Sequence, residues 1–191
     1  MIYTRLTFNN REWQLPSGQY GKSKNINTHE CDYGFGFEEW LFSKNHVLLD
    51  KDGKKYHYGY LEGINKNYNI EDENDSLTLF TINNTTRQRF IVCVINVWKS
   101  ISTEESAIIV QQNPLLIDSM REQVRAVVPD SQLSVDKFNK HVNNDLDVNA
   151  NRPMQLFNIK FQTIDFTFDS KNPVEKTNLI AKFNRFWLHR R

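Results

Sequence analysis

Residues 77–98 read LTLFTI-NNTT-RQ-RFIVCVINVW, and this stretch decides the predicted fold class. Two runs rich in β-branched and aromatic residues, 77–82 and 89–98, flank the polar connection 83–86. Such runs are typical of strands, and a short Asn-rich connection between them is typical of a hairpin. The sequence therefore predicts an antiparallel hairpin at its centre.

Shorter alternating segments precede the hairpin. Residues 2–8 and 12–15 have the period of strands, as do 47–49 and 55–61, which are joined by the turn signal Asp52-Gly53. Pro16-Ser17-Gly18 separates the first two of these segments, 2–8 and 12–15, from a polar loop (18–25). We expect a strand-rich first half, over residues 1–100.

The period changes after the hairpin. Ser102-Thr103-Glu104-Glu105 has capping-box spacing and predicts a helix to about residue 111, and Asn113-Pro114 predicts the start of a second. A short helix is expected at 135–142, strands at 156–161 and 164–168, and a helix at 178–191. We predict a single α+β domain over residues 1–191, with a curved or barrel-like, mostly antiparallel sheet and flanking helices.

Composition narrows the function classes. The 191 residues carry a net charge of +1, so a nucleic-acid site would have to be a local patch rather than a field over the whole protein. Cys31 and Cys93 lack CxxC companions, and no segment has the pattern of a signal peptide or a membrane span. We expect a soluble cytoplasmic protein with reduced thiols.

Motifs for common enzyme chemistry are missing from the sequence. It has no GxxxxGK[ST], GxGxxG, HExxH or GxSxG motif, and its five histidines lack metal-ligand spacing. Glu38-Glu39 could form an acid/base pair, but neighbouring residues of a helix point in different directions, so capping or solvent exposure is favoured. We expect a non-catalytic binding domain with no catalytic residues, metal or cofactor.

Residues 18–42 are the most informative for binding. Lys22, Ser23, Lys24 and Asn25 lie on a glycine-containing loop, where two cations, a hydroxyl and an amide can meet a phosphate or a base edge. The aromatic motif GFGFEEWLF (34–42) follows and supplies flat apolar side chains on which a base can stack. The alternative is that the glycines shape a turn and the aromatic rings fill one end of a barrel.

Three segments carry a family resemblance: GQYGKSKN (18–25), GFGFEEWLF (34–42) and YGYLEGI (58–64). They resemble the N-terminal DNA-reading modules of bacterial modification-dependent, McrA-like restriction systems, which are fused to HNH nucleases and are similar to the PUA-like EVE and SRA readers. The resemblance covers about the first hundred residues. No nuclease segment is present in the sequence, so cleavage activity does not carry over.

The resemblance implies a domain that flips a modified DNA base into an aromatic pocket while a separate nuclease domain cuts. The implied pocket walls are Trp13, Phe35, Phe37, Trp40 and Tyr58, and the loop residues named above would contact backbone or base edge. Two alternatives remain open. One is a protein-interaction subunit with an exposed apolar patch on the helices between residues 102 and 128, and the other is a small enzyme with converging titratable groups.

Overall fold

The structure is a computed structural model that describes residues 2–25, 28–65, 76–127, 132–147, 155–162, 165–166 and 189–190. Its strands are β1 (Ile2–Leu6), β2 (Val47–Leu49), β3 (Lys55–Gly59), β4 (Leu77–Ile82), β5 (Arg89–Ile95), β6 (Trp98–Ser100), β7 (Ile159–Phe161), β8 (Asp165–Phe166) and β9 (His189–Arg190). Its α-helices are α1 (His29–Tyr33), α2 (Glu62–Asn65), α3 (Thr103–Gln112), α4 (Pro114–Val127) and α5 (Gln132–Leu146), and 3-10 helices cover Phe37–Trp40 and Lys44–His46.

The described strands form two sheets. The first has the order β8-β5-β4-β1-β9, in which β1 and β4 run parallel and the other neighbours are antiparallel. The second has the order β2-β3-β7-β6 and is antiparallel throughout. The predicted α+β class with mostly antiparallel strands is confirmed. The strands described here do not close into a barrel.

The central hairpin forms as predicted over β4 and β5, with an irregularity in register between Leu79 and Phe80. In its turn the side chain of Asn83 accepts hydrogen bonds from the backbone N–H groups of Thr85 and Thr86. The predicted strand 89–98 ends early, at Ile95, because the chain bends there and passes into the second sheet as β6.

Two large apolar cores stabilise the fold. The first lies between the sheets and contains Leu6 and Trp13 with side chains from both sheets, such as Leu79 and Phe161. The second, the helix-side core, contains Tyr56 and Tyr58 of the second sheet, Phe35, Phe37 and Trp40, and the buried faces of α3, α4 and α5. Burial of this apolar surface is the main favourable term in folding.

Helices α3 and α4 begin where local signals in the sequence predict them, whereas α5 begins before the predicted residue. The Ser102 hydroxyl caps α3 by accepting from the backbone N–H of Glu105 at 3.1 Å. Ile117, Met120 and Val124 form the buried stripe of α4. Helix α5 runs from Gln132 to Leu146, well beyond the predicted 135–142.

The strand predicted at 12–15 is wrong. The side chain of Asn9 accepts from the N–H groups of Arg11 and Trp13, which folds the chain into a turn, and Glu12 and Trp13 have φ angles of 56° and 54°. A side chain that binds its own backbone competes with a strand ladder for the same groups.

The strands and the helix predicted near the C-terminus agree with the structure in part. Of the strand predicted at 164–168, the described residues 165–166 form β8. Of the helix predicted at 178–191, residues 178–188 and 191 lie outside the described residues, and 189–190 form β9 on the edge of β1, so the helix does not extend to these two residues.

Candidate functional site

The polar loop and the aromatic motif meet at the carboxylate of Glu39, which is fully buried. Its Oε1 accepts from Asn9 Nδ2 at 2.8 Å and from the Ser17 N–H and hydroxyl, each at 3.0 Å. Its Oε2 accepts from the Gly36 N–H at 2.9 Å and pairs with Lys22 Nζ at 2.6 Å. The first turn of the Phe37–Trp40 helix is thereby bonded to the loop that precedes it.

Lys22 is buried inside the protein. Its ammonium also donates to the carbonyl oxygen of Gly34 at 3.0 Å, and neither it nor Glu39 has an exposed side-chain surface. Burial lowers the pKa of Lys22, and the charge of Glu39 opposes that shift. A phosphate contact by Lys22 stays a prediction and would require this ion pair to open.

The other predicted loop residues lie nearer the surface. Lys24 and Asn25 are exposed, and Ser23 is half-buried with its hydroxyl accepting from the Asn25 N–H at 3.2 Å. Gly21 has a φ of 73°, and a Cβ there would lie 2.2 Å from the ring of Phe8. This close approach explains the glycine at position 21.

Glu38 is buried too, and it accepts hydrogen bonds from neutral donors. Its Oε2 accepts from the Thr7 N–H and hydroxyl at 2.8 and 3.1 Å, and its Oε1 from the Glu62 N–H at 3.1 Å. Burial raises the pKa of Glu38 to about 8. Capping was the correct expectation for Glu39, which caps the N–H of Gly36. Solvent exposure was wrong for both residues, because each side chain is buried and accepts hydrogen bonds from groups elsewhere in the chain.

Three of the predicted pocket walls form one aromatic cluster. Phe35 lies edge-on to Phe37 and Trp40, with ring centroids 5.3 and 5.9 Å away, and Phe37 is stacked on Phe138 at 6.2 Å. The indole N–H of Trp40 donates to Gln123 Oε1 at 2.7 Å. All three predicted walls are buried in the helix-side core, Phe37 being 8% exposed.

Of the remaining two walls, one lies in the other core. Trp13 belongs to the core between the sheets, where its indole N–H donates to the carbonyl oxygen of Thr7 at 2.9 Å. Tyr58 is buried in the helix-side core on β3, and Lys160 Nζ lies 5.9 Å from its ring. The structure therefore brings Phe35, Phe37 and Trp40 together, and places Trp13 elsewhere.

Two histidines that sequence reasoning missed belong to the same cluster. The ring of His141, on α5, is stacked on Phe37 with 3.8 Å between centroids, and His29, on α1, lies 5.3 Å from Phe37. They are 112 positions apart in the chain, so no spacing motif could have connected them. The sequence signal that could have suggested His29 as a member of the cluster is its position, five residues before the GFGF segment.

The cluster has a partly exposed rim. His29, Tyr33 and Lys137 are half-buried, and Lys137 Nζ lies 5.2 Å from the ring centroid of Tyr33. Close to it, the Tyr60 hydroxyl donates to a carboxylate oxygen of Glu62, which is also half-buried. This rim combines flat rings with one cation and one carboxylate.

A separate groove of about 730 Å³ lies among α3, α4 and α5. Ile108, 38% exposed, and Leu146, 44% exposed, line it together with the buried Ile117. Leu115, beside it in sequence on α4, is 83% exposed. This groove lies on the helices where the protein-interaction alternative predicts an exposed apolar patch, and α5 also lines it.

Further sites are limited within the described residues. They contain no group of three His, Cys, Asp or Glu side chains placed to hold a metal ion, and Cys31 and Cys93 do not form a disulfide bond. No described helix has the length and apolarity required to cross a membrane. Comparisons with models of protein families, with curated proteins and with solved structures find no match to this chain.

Proposed function

We propose that this chain is a non-catalytic DNA-recognition module that reads an extruded base, with a modified base as its target in a bacterial restriction system. The observation that carries the proposal is the junction at Glu39. It fixes the predicted phosphate-contacting loop against the predicted base-stacking motif in one buried network. The two halves of the sequence-predicted site are therefore neighbours.

Stacking on aromatic rings can offset the cost of extruding a base from the duplex. Extruding a base costs a few kcal/mol, and stacking on an aromatic ring returns about 1–3 kcal/mol for each base. Phe35, Phe37 and Trp40 are packed on one another, so a base would enter at the half-buried rim formed by His29, Tyr33 and Lys137.

The finer parts of the proposal extend the observed architecture. We place the chain among PUA-like readers, in the cytoplasm, with cleavage supplied by an HNH-type nuclease domain. Two mostly antiparallel sheets with packed helices are compatible with this assignment. Exposed Lys24 is the phosphate contact that needs no rearrangement.

The test is a fluorescence anisotropy titration with short duplexes at low and near-physiological salt. The duplexes carry cytosine, 5-methylcytosine, 5-hydroxymethylcytosine or N6-methyladenine at one position. We expect salt-sensitive binding with a preference for one modified duplex. Lys24→Ala should weaken binding to every duplex and reduce the salt slope by about one, whereas Lys51→Ala, on an exposed turn of the second sheet, should not.

The possible results separate the parts of the proposal. Salt-sensitive binding without a preference would leave a general DNA-binding module and remove modified-base reading. A folded protein that binds no duplex at low salt would refute DNA binding.

The helical groove favours a second candidate function, protein interaction through self-association. Exposed apolar side chains that line a groove are a feature of protein contacts. In sedimentation velocity, the wild type should show concentration-dependent self-association that Ile108→Asp abolishes. Leu49→Asp, at an exposed apolar position on β2 away from the groove, is the matched control. A wild type that stays monomeric at the highest concentration reached would exclude this candidate.

A further inference from the structure

The carboxamide of Asn9 and the amine of Lys22 bind the same buried acid. Asn9 Nδ2 donates to Glu39 Oε1 at 2.8 Å, and Lys22 Nζ bonds the other oxygen, Oε2, at 2.6 Å. The three residues come from separate places in the chain, and none is more than 2% exposed. One carboxylate therefore connects a carboxamide nitrogen to a primary amine in a site that is buried away from bulk water.

The carboxamide oxygen of Asn9 is held by two backbone N–H groups. Those of Arg11 and Trp13 donate to Oδ1 at 2.6 and 3.1 Å. Two N–H donors on one carbonyl oxygen are the arrangement that stabilises the oxyanion of an acyl-transfer intermediate. Glu12 and Trp13 both have positive φ angles, so this turn is held in a sparsely populated backbone conformation. The carbon of the carboxamide, Cγ, is thereby prepared for attack by a nucleophile.

Lys22 supplies the nucleophile. Burial lowers the pKa of its ammonium against the opposing charge of Glu39, which favours the neutral amine, and the same carboxylate can accept the proton. Through its other oxygen Glu39 faces Asn9 Nδ2, the leaving nitrogen, to which it can return a proton. The turn explains the two backbone donors on Asn9, but it does not require an ion pair on the amide nitrogen.

We propose that Lys22 and Asn9 form an intramolecular isopeptide bond, with Glu39 as the proton carrier. Lys22 Nζ gives a proton to Glu39 Oε2, and its lone pair then attacks Asn9 Cγ while the carbonyl electron pair moves onto Oδ1. The Nζ–Cγ bond forms, and the Cγ–Nδ2 bond breaks when that electron pair returns. The two protons that leave Nζ depart with Nδ2 as ammonium. Glu39 is again a carboxylate, and the step consumes no oxidant or cofactor.

The ion pair in the structure is the reactant state of this step. The amine leaves Glu39 Oε2 and closes on Asn9 Cγ, so the linked form accumulates as the folded protein ages. This is a single self-modification that acts on no other molecule and does not depend on the proposed DNA recognition. The new bond ties the turn that follows β1 to the loop that carries Ser23 and Lys24.

Intact-mass spectrometry of the purified protein tests the proposal. During incubation at neutral pH we expect a species lighter by about 17 Da, the mass of ammonia, to grow with time. Trypsin does not cleave after an acylated lysine, so digestion should yield peptide 6–11 joined to peptide 12–24 through Lys22. A wild type that keeps its full mass for as long as it stays folded overturns the isopeptide bond.

Two conservative variants separate the chemistry from the fold. Lys22→Arg keeps a cation beside Glu39 but stays protonated and offers no amine, and Glu39→Gln keeps the shape of the side chain but cannot carry the proton. Neither should give the linked peptide. Asn10→Ala, at the exposed neighbour of Asn9, is the matched control and should link as the wild type does. A thermal melt of each variant measures folding, and a linked peptide in folded Glu39→Gln overturns the role of Glu39.

A cyclic imide formed at an asparagine also releases ammonia, and the digest distinguishes the two products. With an imide, trypsin still cleaves after Lys22, and the lighter species forms in Lys22→Arg as well. A loss of about 17 Da with that pattern overturns the isopeptide bond. With the bond, the lighter species and the linked peptide appear together and both are absent from Lys22→Arg. Neither result bears on the proposed function, which the DNA titration tests by itself.

Discussion

Replacing Lys22 by methionine tests whether this lysine holds the loop and the aromatic motif together. The substitution keeps the length of the side chain and removes the ammonium that pairs with Glu39 at 2.6 Å. Breaking a buried ion pair from one side costs about 3–5 kcal/mol, because the remaining charge stays buried. Glu39 keeps hydrogen bonds from Asn9, Ser17 and Gly36, which favours the lower end of that range.

The expected loss can be measured in a thermal melt. For a chain of this length about 1 kcal/mol corresponds to about 2–4 °C, so a loss of about 3 kcal/mol in Lys22→Met should lower the Tm by about 6–12 °C. Lys24→Met, two residues away and exposed, is the control and should change stability by less than about 0.5 kcal/mol.

A double variant separates the loss of the pair from the loss of packing. Lys22→Met with Glu39→Gln leaves no buried charge at this junction and should recover part of the stability lost in the single variant. If Lys22→Met melts at the temperature of Lys24→Met, the ion pair does not hold the loop and the reasoning fails.

Three further predictions concern the same region. Glu38→Gln should change the pH dependence of stability. Burial raises the pKa of Glu38 from about 4.5 to about 8, so the wild type loses stability as the pH rises between those values, by up to about 1.4 kcal/mol per pH unit. Urea unfolding at pH 5 and pH 8 should show that this loss is absent in the variant. Gly21→Ala should lower the Tm far more than Gly53→Ala. Both residues have positive φ angles, but only a Cβ at position 21 would meet the ring of Phe8. Equal losses would contradict this close approach. Phe37→Ala should cost about 3–5 kcal/mol of unfolding free energy if the ring is core, and an unchanged Tm with impaired DNA discrimination would instead identify it as a ligand-facing wall.

Local signals in the sequence predicted the elements that depend on local interactions. The hairpin of β4 and β5 and the Ser102 cap of α3 follow from residues within a few positions of one another. The parallel pairing of β1 with β4 does not follow from local signals, because the two strands are separated by about seventy residues and the sequence of neither indicates its partner.

The site was predicted as a set of segments but not as an arrangement. Glu38 and Glu39 are charged residues on a short helix, and their burial depends on donors at Thr7, Asn9 and Lys22 that come from other parts of the chain. A buried, fully bonded carboxylate and an exposed one look identical in a sequence. Trp13 was expected beside the other rings, but the turn made by the Asn9 side chain directs it into the core between the sheets.

The two adjacent carboxylates have a consequence for local opening of the fold. They bind four backbone N–H groups, those of Thr7, Ser17, Gly36 and Glu62, of which three lie outside any helix or strand. In hydrogen exchange we expect these amides to be protected together, because Glu38 binds two of them, Glu39 binds the other two, and the two residues are adjacent in one short helix. The irregular N-terminal loops should therefore open as one cooperative unit with the aromatic motif.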